Sequence, residues 1–198
     1  MLARLLLSLF VSFAAVDLAA ADAGDGPCPL PGTQQEFPQI LGPAFERKST
    51  HDFESKAAGY GCSVRYKHPS GMWADVYVYN AGLGEIKDVE RDPRLLEEFK
   101  QSVAGIASTW EKEHQSKLSE TNARYEQRGR EHKTEVMSAW ALIDSPKLRK
   151  FRTHVLLWSG RGVIWKLRVT FEESDREVSQ AATIALGDAL VDLSRATP

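Results

Sequence analysis

Alternating apolar and polar residues predict six β-strands in this chain. Residues 62–68 and 72–80 alternate on either side of a Pro69–Gly71 turn, which predicts an antiparallel hairpin. Four further runs of strand-like composition follow the longest helical stretch, at 120–128, 133–143, 151–158 and 163–171.

The register of the last two strands depends on the length of the loop at Gly160–Arg161–Gly162. A three-residue loop places the apolar set beginning at Phe151 on the same face as the set beginning at Val163. A two-residue loop sets them on opposite faces. Burial of a single apolar face favours the three-residue loop, in which a glycine suits the left-handed position.

Two stretches with helical periodicity lie among these strands. The first begins at Asp92, a good N-cap, followed by Pro93 at the first helical position. Its apolar stripe comprises Leu95, Leu96, Phe99, Val103, Ile106 and Trp110. The second closes the chain, and Ser174 with Glu177 predicts a capping box at its start.

The order ββαββββα predicts an α+β fold, an antiparallel sheet of about six strands packed with two main helices. We assign this single domain to residues 58–195. Residues 22–57 precede it and contain five prolines within a short stretch, which predicts an extended N-terminal segment.

Residues 1–21 have the pattern of a secretory signal peptide. Arg4 precedes an apolar run, and small residues cluster at Ala19–Ala21. A membrane anchor is the alternative, but the uninterrupted run is shorter than the roughly 20 residues a span needs, and Asp17 ends it. We therefore expect an exported protein, periplasmic or extracellular, with no stable membrane insertion after cleavage.

The formal net charge of -2 provides no global attraction to nucleic acid or anionic lipid. Removal of residues 1–21 takes away one Arg and one Asp, so this charge is unchanged. We expect no nucleic-acid partner and an unknown protein or small ligand of the periplasm instead.

The two cysteines, Cys28 and Cys62, are expected to pair after export, because an oxidising compartment favours disulfides. The bridge would close a loop of about 35 residues and tie the proline-rich segment to the domain. The alternative is a catalytic or metal-binding thiol pair, for which the spacing and the neighbouring residues give no support.

The sequence contains no recognised catalytic, phosphate-binding or metal motif, so we predict no cofactor, no metal and no catalytic residue. Two candidate sites remain. The first is a binding surface on one strand face, made of Trp73, Asp75, Tyr77 and Tyr79, whose alternative is an ordinary half-buried strand. The second is an anion patch on the last hairpin, made of Arg152, His154, Lys166 and Arg168, whose alternative is an ion-paired sheet face.

The hairpin "VRYKHPSGMWADVYVY" and the order of elements resemble the PsbP-like fold over about residues 58–195. The stretch "GCSVRYKHPSGMWADVYVYNAGLGEI" is also similar to segments of secreted proteobacterial proteins of unassigned activity. Members of the PsbP-like fold mostly bind or scaffold, so the resemblance implies a binding role and carries no functional residue with it.

The sequence favours a secreted, non-catalytic interaction or ligand-binding module. The alternative is a secreted hydrolase with dispersed active-site residues. That hydrolase requires at least two of His51, His154, Asp75 and Glu111 to converge in one pocket.

Overall fold

Eight strands pair in one antiparallel sheet, with one long helix on each face. The computed structural model describes residues 26–86, 92–145 and 149–196, without the side chains of residues 113 and 114; the predicted signal peptide lies outside them. The elements in chain order are β1 (Ile40–Leu41), β2 (Phe45–Asp52), β3 (Cys62–Lys67), β4 (Trp73–Tyr79), α1 (Pro93–His114), β5 (Lys117–Arg128), β6 (Thr134–Asp144), β7 (Phe151–Gly160), β8 (Val163–Glu172) and α2 (Arg176–Arg195). The spatial order of the strands is β1-β2-β3-β4-β8-β7-β6-β5.

The predicted sheet of about six strands in the order ββαββββα is wrong, because β1 and β2 precede the predicted set. The sequence of β2, FERKSTHD, is almost entirely polar and shows no apolar alternation. Its pairing with β3 also shifts register between Arg47 and Ser49, which interrupts the two-residue period. A strand of this kind gives no periodic signal.

Helix α1 begins as the sequence predicts. Pro93 opens the helix, and the side chain of Asp92 accepts a hydrogen bond from the Arg94 backbone N–H at 2.8 Å. The capping box predicted for the second helix is wrong. Ser174 lies in a short 3-10 turn at Glu173–Asp175, and α2 starts only at Arg176.

Helix α2 and the N-terminal segment together cover one face of the sheet. The buried side chains of α2, among them Leu186 and Leu190, pack on β7 and β8. Leu30 and Phe37 of the N-terminal segment belong to the same apolar core, and the Phe37 ring is 5.6 Å from that of Trp165 in β8. This face therefore forms a continuous apolar core.

The disulfide predicted between Cys28 and Cys62 is confirmed, with a Cα–Cα distance of 5.5 Å. It joins the N-terminal segment to the first residue of β3, so the bridge holds that segment over the sheet. The Tyr66 hydroxyl, which donates to the Pro38 carbonyl at 2.9 Å, adds a second attachment to the same segment.

The opposite face is covered over only part of its width. Helix α1 packs on β5, β6 and β7, where Phe99, Ile106 and Trp110 contact the second apolar core. At the other end of the sheet, the side chains that β2 and β3 direct to this face are polar and mostly half or fully exposed.

The register predicted for the last hairpin is wrong. Gly160 pairs directly with Val163, so a two-residue turn at Arg161–Gly162 joins β7 to β8. Both turn residues have positive φ, 52° and 77°, as a tight right-twisted hairpin requires. The apolar sets beginning at Phe151 and Val163 consequently lie on opposite faces, and each is buried under a different helix.

Candidate binding surface

One end of the sheet presents a polar surface on the face that carries α1. We call it the open face, and it draws its side chains from β2, β3, β4 and β8. The cross-strand pairs Arg65 with Asp75, Asp75 with Arg168 and Tyr77 with Lys166 place these residues side by side. Its members are Glu46, Ser49, His51, Ser63, Arg65, Lys67, Asp75, Tyr77, Lys166 and Arg168.

The four residues of the predicted binding surface on β4 lie on one face of the sheet, but only two of them belong to the open face. Trp73 packs against Phe151 at 6.0 Å, and Phe151 in turn contacts Trp110 of α1. Tyr79 reaches α1 through a hydrogen bond from its hydroxyl to Glu98 at 2.7 Å. Burial and this neighbouring carboxylate raise the pKa of Tyr79 well above its usual value. Asp75 and Tyr77 remain on the open face.

The predicted anion patch is divided between the two faces of the sheet. In the β7–β8 ladder Arg152 pairs with Phe171 and His154 with Val169, so both belong to the α2 face. Lys166 and Arg168 belong to the α1 face. The prediction of one patch is therefore wrong, because it followed from the three-residue loop that the structure does not have.

Arg152 takes part in an ion-pair network instead. Its guanidinium donates to Glu173 at 2.6 Å and 2.9 Å and lies 3.4 Å from a carboxylate oxygen of Glu120. Hydrogen bonding to Arg152 lowers the pKa of Glu173. This network links β7, β5 and the 3-10 turn, so the role it supports is structural.

The open face therefore combines residues from both predicted sites. Lys166 extends over the ring of Tyr77, with 4.6 Å between its nitrogen and the ring centre, and over the ring of Tyr79 at 5.3 Å. Both distances are within the range of a cation–π interaction. The tyrosines therefore hold this ammonium group above the sheet.

Arg65 is the most heavily bonded of the open-face residues that sequence reasoning missed. Its guanidinium binds Asp75 through two hydrogen bonds, at 2.7 Å and 3.3 Å. The Asp75 side chain is buried, whereas that of Arg65 is 39% exposed. The alternation of β3 and β4 on either side of the Pro69–Gly71 turn is the sequence signal that could have identified it, since this alternation places Arg65 opposite Asp75.

Charge distinguishes the open face from the chain as a whole. Among the described residues it carries four cationic side chains, Arg65, Lys67, Lys166 and Arg168, against two carboxylates, Asp75 and Glu46. The complete chain has a net charge of -2. The arrangement is suited to attract an anionic group and has no donor–acceptor set of an obvious catalytic kind.

The residues required for the hydrolase alternative do not converge. His154 lies on the α2 face, whereas His51 and Asp75 lie on the open face, so the sheet separates them. His51 and Asp75 are also apart from each other, because strand β3 stands between their backbones. His51 contacts Ser49, with 3.2 Å between the Nε2 and Oγ atoms. Glu111 is exposed near the end of α1.

A buried serine–histidine pair occurs on the α2 face. Ser138 Oγ and His154 Nε2 share a hydrogen bond of 2.8 Å, and both residues are fully buried. Among the described residues His154 Nδ1 has no hydrogen-bond partner, and the Glu126 carboxylate lies 3.9 Å from Nε2, too far for the hydrogen bond that orients the histidine of a catalytic triad. The ring stacks on Trp140 with 3.7 Å between centres. These features describe a packed core histidine.

The comparisons with known proteins assign no family. The chain matches no protein-family model and no curated protein. Within the described residues, no group of three or more His, Cys, Asp or Glu side chains could hold a metal ion. Neither described helix has the length and apolarity needed to cross a bilayer.

Proposed function

We propose that this chain is an exported, non-catalytic binding module that holds an acidic segment of a partner protein against its open face. The observation that carries the proposal is the excess of cationic side chains over carboxylates on a half-exposed sheet surface. Lys166, positioned over Tyr77, is the central contact. Arg168 lies two residues along β8 from it, and Arg65 lies on β3, beyond the intervening strand β4.

The shape of the open face favours a protein segment over a small molecule. Side chains from four adjacent strands span about 14 Å of a pleated surface, given a strand spacing of about 4.8 Å. Small ligands are usually enclosed in concave pockets, whereas protein partners use broad surfaces with Arg and Tyr contacts. An extended acidic segment can reach several of these cations at once.

Export is supported by two observations. The Cys28–Cys62 disulfide fits an oxidising compartment, where such bridges form and persist. The leader at residues 1–21 has the pattern of a signal peptide. We place the module in the periplasm or outside the cell, and its proposed partner in the same compartment.

A labelled peptide of eight glutamates provides the direct test, with binding followed by fluorescence anisotropy on the oxidised chain purified from an exporting host. We expect saturable binding that weakens with added salt. Lys166→Glu should weaken it by about tenfold, because a reversed charge repels the probe. Lys112→Glu is the matched control, since Lys112 is exposed on α1 and lies outside the open face.

Equal loss of binding in both lysine variants would contradict the site. A single-stranded oligonucleotide of matched charge tests the class of partner. If it binds as tightly as the peptide, attraction to any polyanion accounts for the result and the proposed preference for acidic protein is wrong. Absence of saturable binding at physiological salt would also contradict the proposal.

A further inference from the structure

The two edges of the sheet differ greatly in length. At one edge β1 contains two residues, whereas at the other β5 contains twelve. A terminal strand has hydrogen-bonding neighbours on one side only, and among the described residues no strand pairs with the outer side of β5. A long edge strand of this kind is a template on which a further strand can pair.

The straight part of β5, residues 122–128, is exposed on the α1 face and, at Arg124, on the α2 face. A register shift between Ser119 and Asn122, with a positive φ of 52° at Glu120, divides the regular pairing of β5 into residues 117–119 and the longer stretch 122–128. Within this part, Ala123 and Tyr125 on the α1 face are exposed, so α1 does not project over the edge here. The side chain of Arg124 on the α2 face is 55% exposed.

The charges of β5 are complementary to those of a second copy in two antiparallel registers, centred on Tyr125 or on Gln127, and only the first keeps all of residues 122–128 paired. When Tyr125 lies opposite Tyr125 of the second copy, each Arg124 lies opposite Glu126 of the other chain. Centring the pair on Arg124 or on Glu126 instead places like charges directly opposite each other, which destabilises a ladder. Opposite charges at direct cross-strand positions are favourable.

We infer that two copies of this chain pair through their β5 edges about a two-fold axis centred on Tyr125. The contact is isologous, since the same strand supplies both halves. Residues opposite each other in a ladder point to the same face, so the product is a continuous sheet of two chains with both open faces on one side. A two-chain assembly therefore presents its proposed binding surface twice, which raises the avidity for a repetitive partner.

Disulfide trapping tests the register. Directly opposite residues of an antiparallel pair have Cα atoms about 4.5–5.5 Å apart, which a disulfide can bridge. Tyr125→Cys should therefore yield a covalent dimer upon mild oxidation of the exported chain. Gln127→Cys is the matched control: in this register it faces Ala123, and its counterpart is about 13 Å away along the strand.

Sedimentation velocity up to about 200 µM tests the assembly itself. We expect a concentration-dependent dimer that Arg124→Glu weakens by about tenfold, because the introduced carboxylate would lie opposite Glu126 of the other chain. Lys117→Glu should leave the dimer affinity unchanged, because Lys117 lies beyond the register shift and outside the proposed contact. A thermal melt confirms that each variant is folded. A monomer throughout this range, or equal trapping at positions 125 and 127, would overturn the inference.

Discussion

Lys166 and Tyr77 lie directly opposite each other in the β4–β8 ladder, with the lysine nitrogen 4.6 Å from the centre of the tyrosine ring. Both side chains are half-buried. A cation in this position is partly removed from water, and the π-face of Tyr77 compensates for part of that loss. The pair links the stability of the open face to its proposed binding chemistry.

The interaction should be measurable as a coupling free energy. We expect Tyr77→Leu and Lys166→Met to show non-additive effects on the free energy of unfolding, with a coupling of about 0.5–1 kcal/mol. Urea denaturation of the two single variants and the double variant provides the measurement. Tyr77→Phe should retain the coupling, because a phenyl ring keeps the π-face. Additivity within about 0.3 kcal/mol would show that the ring does not stabilise the cation.

The buried His154 predicts that the protein loses stability in mild acid. Burial, together with Arg128 and Arg124, lowers the pKa of His154 well below 6.5. As pH falls below about 6.5 the unfolded chain takes up a proton that the folded chain does not bind. The free energy of unfolding should therefore fall, by at most about 1.4 kcal/mol per pH unit from this group, while the full contribution is present above pH 6.5.

Urea denaturation between about pH 7.5 and 5 measures how the free energy of unfolding depends on pH. The double variant His154→Phe with Ser138→Ala shows how much of that dependence comes from His154. Replacing both hydrogen-bonding partners avoids leaving a buried hydroxyl unpaired. The double variant should show a flatter slope than the wild type. Burial also lowers the pKa of His68, though less, so His68→Gln should flatten the slope to a smaller degree. An unchanged slope in the double variant would contradict the assignment.

The Cys28–Cys62 bridge should contribute about 3–4 kcal/mol, as expected for a closed loop of this length. The measurement is the difference in the free energy of unfolding between the oxidised chain and the double variant Cys28→Ala with Cys62→Ala. Reduction should also free the N-terminal segment. Because Phe37 packs on Trp165, we expect tryptophan fluorescence to change along with stability. A difference below about 1 kcal/mol would mean that the segment is held by its packing alone.

Asp192 of α2 holds the turn between β5 and β6. Its carboxylate accepts hydrogen bonds from three consecutive backbone N–H groups, at 2.9–3.0 Å. Burial alone would raise its pKa, but these N–H groups and His132 outweigh that effect and lower it. Asp192→Ala should cost about 1–3 kcal/mol at pH 7. Asp175→Ala, at an exposed carboxylate, is the control.

The loss of stability caused by Asp192→Ala should depend on pH, because the pKa of Asp192 is lowered in the folded state. A carboxyl group whose pKa is lower in the folded state than in the unfolded state makes its full contribution to the stability of the fold above its unfolded-state pKa. This contribution is lost as pH falls through the folded value. The difference in stability between wild type and variant should therefore narrow in acid, below the usual aspartate pKa of about 3.9. A constant difference across that range would assign the effect to lost packing instead of the charge.

The polar network of the open face could be predicted only in part. Tyr77 and Asp75 share a face by simple alternation, and the structure keeps them together. Their pairing with Lys166 and Arg168 depends on β4 lying next to β8, strands separated by α1 and three further strands in the chain. No local sequence pattern encodes a neighbour so distant. The sequence therefore predicts Lys166 and Arg168 beside Arg152 and His154, and not beside Tyr77 and Asp75.

The sequence by itself determined the elements whose signals are local. The start of α1 at Asp92 and Pro93 follows from capping, and the six strands from β3 to β8 follow from the two-residue period, with their ends shifted by a few residues. The pairing of the two cysteines follows from their number and the inferred compartment. These inferences need only the chemistry of neighbouring residues.

Only the tertiary structure decided which faces are buried and which strands are neighbours. The last hairpin was assigned the wrong register because one buried face was assumed, whereas α1 and α2 bury both. The polar strand β2 lies outside the predicted sheet because its stability comes from pairing with β3 and from the segment tied by Cys28. Burial is a property of the assembled layers, and a strand's own residues cannot specify what will pack on them.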